Sequence, residues 1–268
     1  MGNVIQFAGA RSEGGFERVK STYSVREISR QFGLKERHIR RWAQEGVVET
    51  VADLAEGELR FDFRALDVFR RVRELLHQGL TLRQIEAQLH GQLSLFPAPE
   101  AKLIQLPRRI TPFEEALLLH ERGDARATEF YLKAALEGDH APDAFCNLGI
   151  LEFEAGKVAS AFDRFTQALR HDPRHFESHF NLAHLYFESG DMRLARLHYE
   201  LAAEIEPSFA DLYYNLGLVL AISGEWQQAA AALSHAKELV PEDEGKKVAD
   251  LLSSVEKALN PPPPPFRT

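Results

Sequence analysis

From residue 108 onward the sequence repeats itself every 34 residues, and this period limits the fold more than anything else in the chain. The segments NLGILEFEAG, NLAHLYFESG and NLGLVLAISG recur with Asn147, Asn181 and Asn215 in phase. Gly156, Gly190 and Gly224 keep the same step, as do Ala161, Ala195 and Ala229, then Ala168, Ala202 and Ala236. Pro173, Pro207 and Pro241 close each unit. A fixed period of this size marks a repeat architecture, in which each unit buries its apolar face only against its neighbours. Small side chains let two helices approach closely, glycine tolerates the turn between them, and proline stops the second helix. An earlier, degenerate unit spans 108–141, with Ala127, Tyr131 and Ala134 in phase and Asp139 where the others have proline. After Pro241, KKVADLLSSVEKAL reads as a capping helix, which an open stack needs.

Period and residue pattern together resemble the tetratricopeptide (TPR) repeat, a helical hairpin stacked into an α-solenoid. The resemblance implies a non-catalytic binding scaffold whose first helices line a concave groove for a protein or peptide partner. It turns Asn147, Ile150, Phe153, Glu154, Phe180, Asn181, His184, Phe187, Glu188, Tyr214, Asn215 and Leu218 toward that groove. The asparagines suit an extended backbone, the aromatics an apolar anchor, and Glu154 and Glu188 a basic or amphipathic ligand. The lysines or arginines with which some relatives clamp an acidic C-terminal tail are missing from these positions.

Charge sets the first part of the chain apart. The whole protein has a formal net charge of −8, yet residues 1–91 hold 15 Lys/Arg against 13 Asp/Glu, and residues 108–268 hold 16 against 26. Such asymmetry suggests two modules with different partners. Residues 1–21, rich in Gly and Ser and without helical period, read as a flexible arm. In SVREISRQF, Ser24 and Glu27 form a capping box, and Val25, Ile28 and Phe32 share one face. Gly33 breaks this helix, and Leu34 opens another with Ile39 and Trp42 turned inward until Gly46. Two short helices about a glycine turn form a helix-turn-helix pattern. VVETVADLAEGELRFDF then fits a small hairpin, or wing, turning at Gly57. Two more helices follow, FRALDVFRRVRELLHQG and TLRQIEAQL, the second with a capping box in Thr81 and Gln84.

Over residues 22–91 this order of elements, with Y-S-V-R-E-I-S-R-Q-F-G-L and H-I-R-R-W-A-Q-E-G-V, is similar to the DNA-binding domain of the MerR family of bacterial regulators. A helix laid in the major groove presents long basic side chains to base edges and phosphates. Lys35, Arg37, His38, Arg40 and Arg41 are available for double-stranded DNA on such a helix. By resemblance Arg37, His38 and Arg40 sit where the family contacts DNA, and Arg60 sits in the wing, near phosphate. Arg41 and Trp42 replace the family's usual tyrosine pair. Such regulators usually continue into a long helix that pairs with its twin. Here Pro97, Pro99 and Pro107 interrupt the path, so 92–107 reads as a linker and any homodimer must use another surface.

The expected fold class is therefore mainly all-α: a winged helix-turn-helix at 22–91, a linker at 92–107, about four repeats plus a capping helix at 108–259, and a Pro-rich tail at 260–268. The expected function is a cytoplasmic, MerR-type transcriptional regulator whose repeats bind a protein. One alternative is a scaffold whose helix-turn-helix docks protein instead of DNA. Another is a replication or repair accessory, because Gln92, Leu93, Leu95 and Phe96 in QLSLF are similar to the peptide that docks bacterial proteins to the sliding clamp. Cys146 is the single cysteine, which excludes internal disulfides and cysteine-based zinc sites. His171, His175 and His179 are spaced by four, but Pro173 interrupts them, and they read as ordinary turn and surface histidines. No cofactor, metal, catalytic group or membrane segment is expected.

Overall fold

The computed structural model describes residues 15–52, 59–94, 110–240 and 245–259. By their contacts these residues fall into two compact units, Val19–His140 on one hand and Met1–Arg18 with Ala141–Thr268 on the other.

The unit Val19–His140 opens with strand β1 (Thr22–Ser24) and helix α1 (Val25–Phe32). Ser24 caps α1 by accepting from the Glu27 amide, and the Glu27 carboxylate accepts from Ser24 N–H in return at 2.8 Å. Val25, Ile28 and Phe32 are buried, and Gly33 ends the helix at φ 64°, a left-handed conformation that costs glycine nothing. Helix α2 (Glu36–Gln44) follows the turn and buries Ile39 and Trp42 completely. Strands β2 (Val51–Ala52) and β3 (Leu59–Asp62) pair antiparallel as the expected wing; its turn lies outside the described residues. β3 also pairs with β1, giving a three-stranded sheet in the order β1-β3-β2. Nothing in the sequence signalled β1, because three residues are too few to show alternation. Helix α3 (Ala65–His77) buries Leu66, Phe69, Val72 and Leu75. Helix α4 (Leu82–Ser94) reaches three residues into the expected linker.

The hairpin of α5 (Pro112–Glu121) and α6 (Ala127–Glu137) falls in the stretch expected as a degenerate repeat, and its contacts group it with this first unit. Phe63 at the end of β3 meets Phe113 edge-on at 5.4 Å, Arg64 pairs with Glu114, and Ser21 Oγ donates to Glu121 at 2.6 Å. Asp139, standing where later units have proline, accepts from the Phe113 amide at 2.8 Å and so closes the hairpin.

The other unit holds α7 (Ala141–Glu154), α8 (Val158–His171), α9 (Phe176–Glu188), α10 (Met192–Ile205), α11 (Ala210–Ile222), α12 (Trp226–Leu239) and α13 (Lys246–Leu259). Each packs on the next in chain order, as a solenoid of hairpins requires. A Cβ on Gly149 would come within 2.8 Å of the Phe165 ring, and one on Gly217 within 2.6 Å of Leu233 Cγ. The 34-residue phase thus reserves its closest helix approach for the smallest side chains. The capping helix α13 turns Val248, Leu252 and Val255 inward.

Candidate nucleic-acid interface and peptide groove

Helix α2 buries one side, and its opposite side carries charge. Lys35, Arg37 and Arg40 are exposed. The Arg40 guanidinium donates to Glu36 at 2.8 Å, with the two side chains 51% and 43% exposed. A pair that open to water contributes about 0.3–0.5 kcal/mol, so it gives way readily to a stronger anion. The Arg37 Nε lies 3.3 Å from His38 Nε2. Partial burial, then the charges of Arg37, Arg41 and Lys35, hold the His38 pKa below its usual value, so its ring is neutral near pH 7.

Arg41 is placed differently. It pairs with Glu86 of α4 and with Glu45 at 3.8 Å. The same Glu86 accepts from the Trp42 indole N–H at 2.9 Å. One carboxylate thus fixes both residues that stand in place of the family's tyrosine pair, and it locks α2 against α4. Arg60 sits on β3 and donates from Nε to Thr22 Oγ1 at 3.0 Å, which ties it to the sheet. Glu86 and Thr22 were not singled out from sequence; both act over long separations along the chain and carry no local pattern. Gln92 and Leu93 fall in the last turn of α4, and Leu95 and Phe96 lie outside the described residues.

In the repeat unit Asn147, Asn181 and Asn215 are all buried, on α7, α9 and α11. Asn181 meets a piece of the chain expected to be a loose arm. Its Oδ1 accepts from the Glu17 amide at 2.8 Å, and its Nδ2 donates to the Glu17 carbonyl at 2.8 Å. Beside it Phe16 packs on Phe153 at 4.4 Å, on His184 at 4.7 Å and parallel to Phe165 at 6.0 Å. Burial pushes the His184 pKa down, against the partial opposition of Glu188. Cys146 lies under the same segment, with Sγ 3.9 Å from the Glu17 carbonyl and 3.3 Å from Asn181 Nδ2. Burial, reinforced by Glu177, raises its thiol pKa well above the ordinary value.

Phe180 requires correction. It is fully buried in the core, edge-on to Tyr199 at 5.7 Å and to Phe209 at 5.5 Å, and offers no groove surface. Helix α9 is buried on every side from Phe176 to Leu185, so phase alone could not separate its groove face from its packing face. Phe187 and Tyr214 are partly buried against that core. The spaced histidines have structural tasks. His175 caps α9 and reaches Asp143 at 3.1 Å, His179 bonds the Pro173 carbonyl and His198, and His171 stacks on Phe145. Among the described residues no group of three or more His, Cys, Asp or Glu is placed to hold a metal, and no helix is long and apolar enough to cross a membrane.

The family model described as MerR HTH family regulatory protein matches residues 23–92, and the tetratricopeptide repeat model matches 146–208 and 183–244. No curated protein matches the chain. Among solved structures, the first TPR domain of human RPAP3 is 22% identical, with TM-score 0.41, over 45% of this chain and 93% of that one. A crystal structure of MamA is 22% identical over 54% of this chain and 92% of that one, with TM-score 0.43. MamA from AMB-1 is 17% identical over 55% and 80%, with TM-score 0.48. The chain therefore joins a MerR-type helix-turn-helix domain at residues 23–92 to tetratricopeptide repeats at residues 146–244.

Proposed function

We propose that this protein is a cytoplasmic, DNA-binding transcriptional regulator whose repeats hold a protein partner. In this reading α2 lies in the major groove, Arg37 and Arg40 reach base edges, and Lys35 and His38 stand near phosphate. Arg60 and Arg41 act from the flanks, the first toward phosphate from the sheet and the second chiefly by holding α2 to α4. The observation that carries the reading is the exposure of Arg37 and Arg40 on the side of α2 away from Ile39 and Trp42, with Lys35 exposed at its N-terminus. A guanidinium pairs with guanine O6 and N7 through two parallel bonds, worth about 1–3 kcal/mol of discrimination. Any homodimer would use a surface other than a long helix extending α4.

Selection of bound fragments from genomic DNA by the full-length protein tests this. A shared sequence should emerge, and Arg37→Ala with Arg40→Ala should remove it. Enrichment without a common site, or unchanged by the double substitution, would count against α2 as the reading helix. The partner reading is tested separately, by comparing proteins retained by the full chain and by its Asn181→Ala variant; an identical set would reject the groove as the partner's seat.

A further inference from the structure

The Phe16–Glu17 contact has the form of a bound peptide. Asn181 satisfies both the N–H and the C=O of one residue, and that pairing requires an extended backbone and is indifferent to the side chain attached. Phe16 supplies what the asparagine cannot: an aromatic anchor set against Phe153, Phe165 and His184. Under this segment Asn181 is completely buried, where a side-chain amide must be paired, and the Glu17 N–H and C=O pair it. We propose that this groove is filled in the free protein by a self-peptide, an aromatic residue followed by a backbone-read residue. Its resident occupant is the chain's own Phe16–Glu17, which a partner peptide of the same kind must displace. The proposal deepens the partner reading above and rests on it for the biological ligand, but its core concerns only this chain and this groove.

A tethered occupant competes at an effective concentration on the order of millimolar, so an added peptide sees a groove that is nearly always filled. Emptying the groove by Phe16→Ala should therefore raise the apparent affinity for an added peptide at least tenfold. Cys146 provides the readout. It is the only cysteine, its side chain is buried, and it lies beneath the Glu17 carbonyl.

The experiment uses the full chain and the synthetic peptide SEGGFERVK, residues 12–20 of this protein. Labelling of Cys146 by a thiol reagent should be slow in the wild type and at least tenfold faster in Phe16→Ala. SEGGFERVK should restore protection to the variant, and SEGGAERVK should not. Rescue by the peptide separates an emptied groove from a misfolded array, because a misfolded array has no site to refill. Equal labelling of wild type and variant, or equal protection by the two peptides, would overturn the proposal. Fast labelling that neither peptide reverses would do the same, since the groove would then not recognise this sequence. No partner protein enters the assay, so its failure leaves the capture experiment with Asn181→Ala standing, and failure of that experiment leaves this one standing.

Discussion

The two units handle polar chemistry in opposite ways. Of the ten polar or charged residues buried among the described residues, only Arg73 belongs to the unit Val19–His140. The other nine, including Asn147, Asn181, Asn215, His175, His179 and His184, belong to the repeat unit. The helix-turn-helix unit keeps an apolar interior under Trp42, Phe61 and Phe69 and places its charge on the outer face of α2. The repeat unit takes polar groups inside, where each must be paired at a cost of about 1–3 kcal/mol if it is not. Charge held in water suits a large, rigid polyanion that meets the protein from outside. Buried polar groups such as Asn181 suit a segment that supplies backbone partners.

The contrast is sharpened most by attacking the interior of the first unit. Trp42 is completely buried and bonds Glu86, so Trp42→Ala should cost about 3–5 kcal/mol of that unit's stability. Calorimetry should show its transition lowered while that of the repeats stays in place; a single shifted transition would break the division into two units. Next in size, Gly217→Ala drives a methyl group against Leu233 and should cost about 1–3 kcal/mol in the array. Ala183 holds the same phase one unit earlier, fully buried in the cluster that includes Tyr199, so Ala183→Gly should cost only about 1 kcal/mol. A neutral or stabilising Gly217→Ala would contradict the close approach to Leu233.

Smaller effects come from pH. Burial, then the nearby His179, holds the His198 pKa down to about 4, from 6.5. The unfolded chain therefore takes up this proton first, so the stabilisation is complete above pH 6.5 and is lost as pH falls toward 4. Thermal melting of the array should drop over that window, and His198→Gln should flatten the drop. His38 gives the smallest effect and acts on binding. Its pKa is depressed in the free protein by burial, Arg37, Arg41 and Lys35, and a phosphate at hand would raise it. DNA binding would then take up a proton, and affinity should rise as pH falls. A His38→Asn variant should lose that dependence.

Much of this was legible in residues that obey a local rule. Ser24 with Glu27, the Gly33 turn, Ile39 with Trp42, and the buried phased alanines all follow from spacing along the chain. What escaped was set by contacts between distant segments. Strand β1 exists because β3 pairs with it, Glu86 reaches back to α2 from 44 residues away, and Phe16 finds Phe153 and His184 with no period to announce it. Phe180 shows the limit within a regular repeat: phase assigns a residue to a helix turn, but on a helix buried all round it does not choose between groove and core. In the candidate nucleic-acid interface the basic residue types were readable, while the capture of Arg41 by Glu86 and of Arg60 by Thr22 needed the tertiary structure.

The most direct test of an outward-facing basic helix is the salt dependence of DNA affinity, measured by anisotropy with the full-length protein and a selected fragment. Counterion release makes log affinity fall linearly with log salt, by about 0.9 for each phosphate neutralised. The wild type should show a steep slope, Lys35→Ala should lower it by about 0.9, and Arg37→Ala with Arg40→Ala should lose the preference for the selected fragment over random DNA. A flat slope in the wild type, or full sequence preference in the double variant, would mean that α2 does not face the duplex.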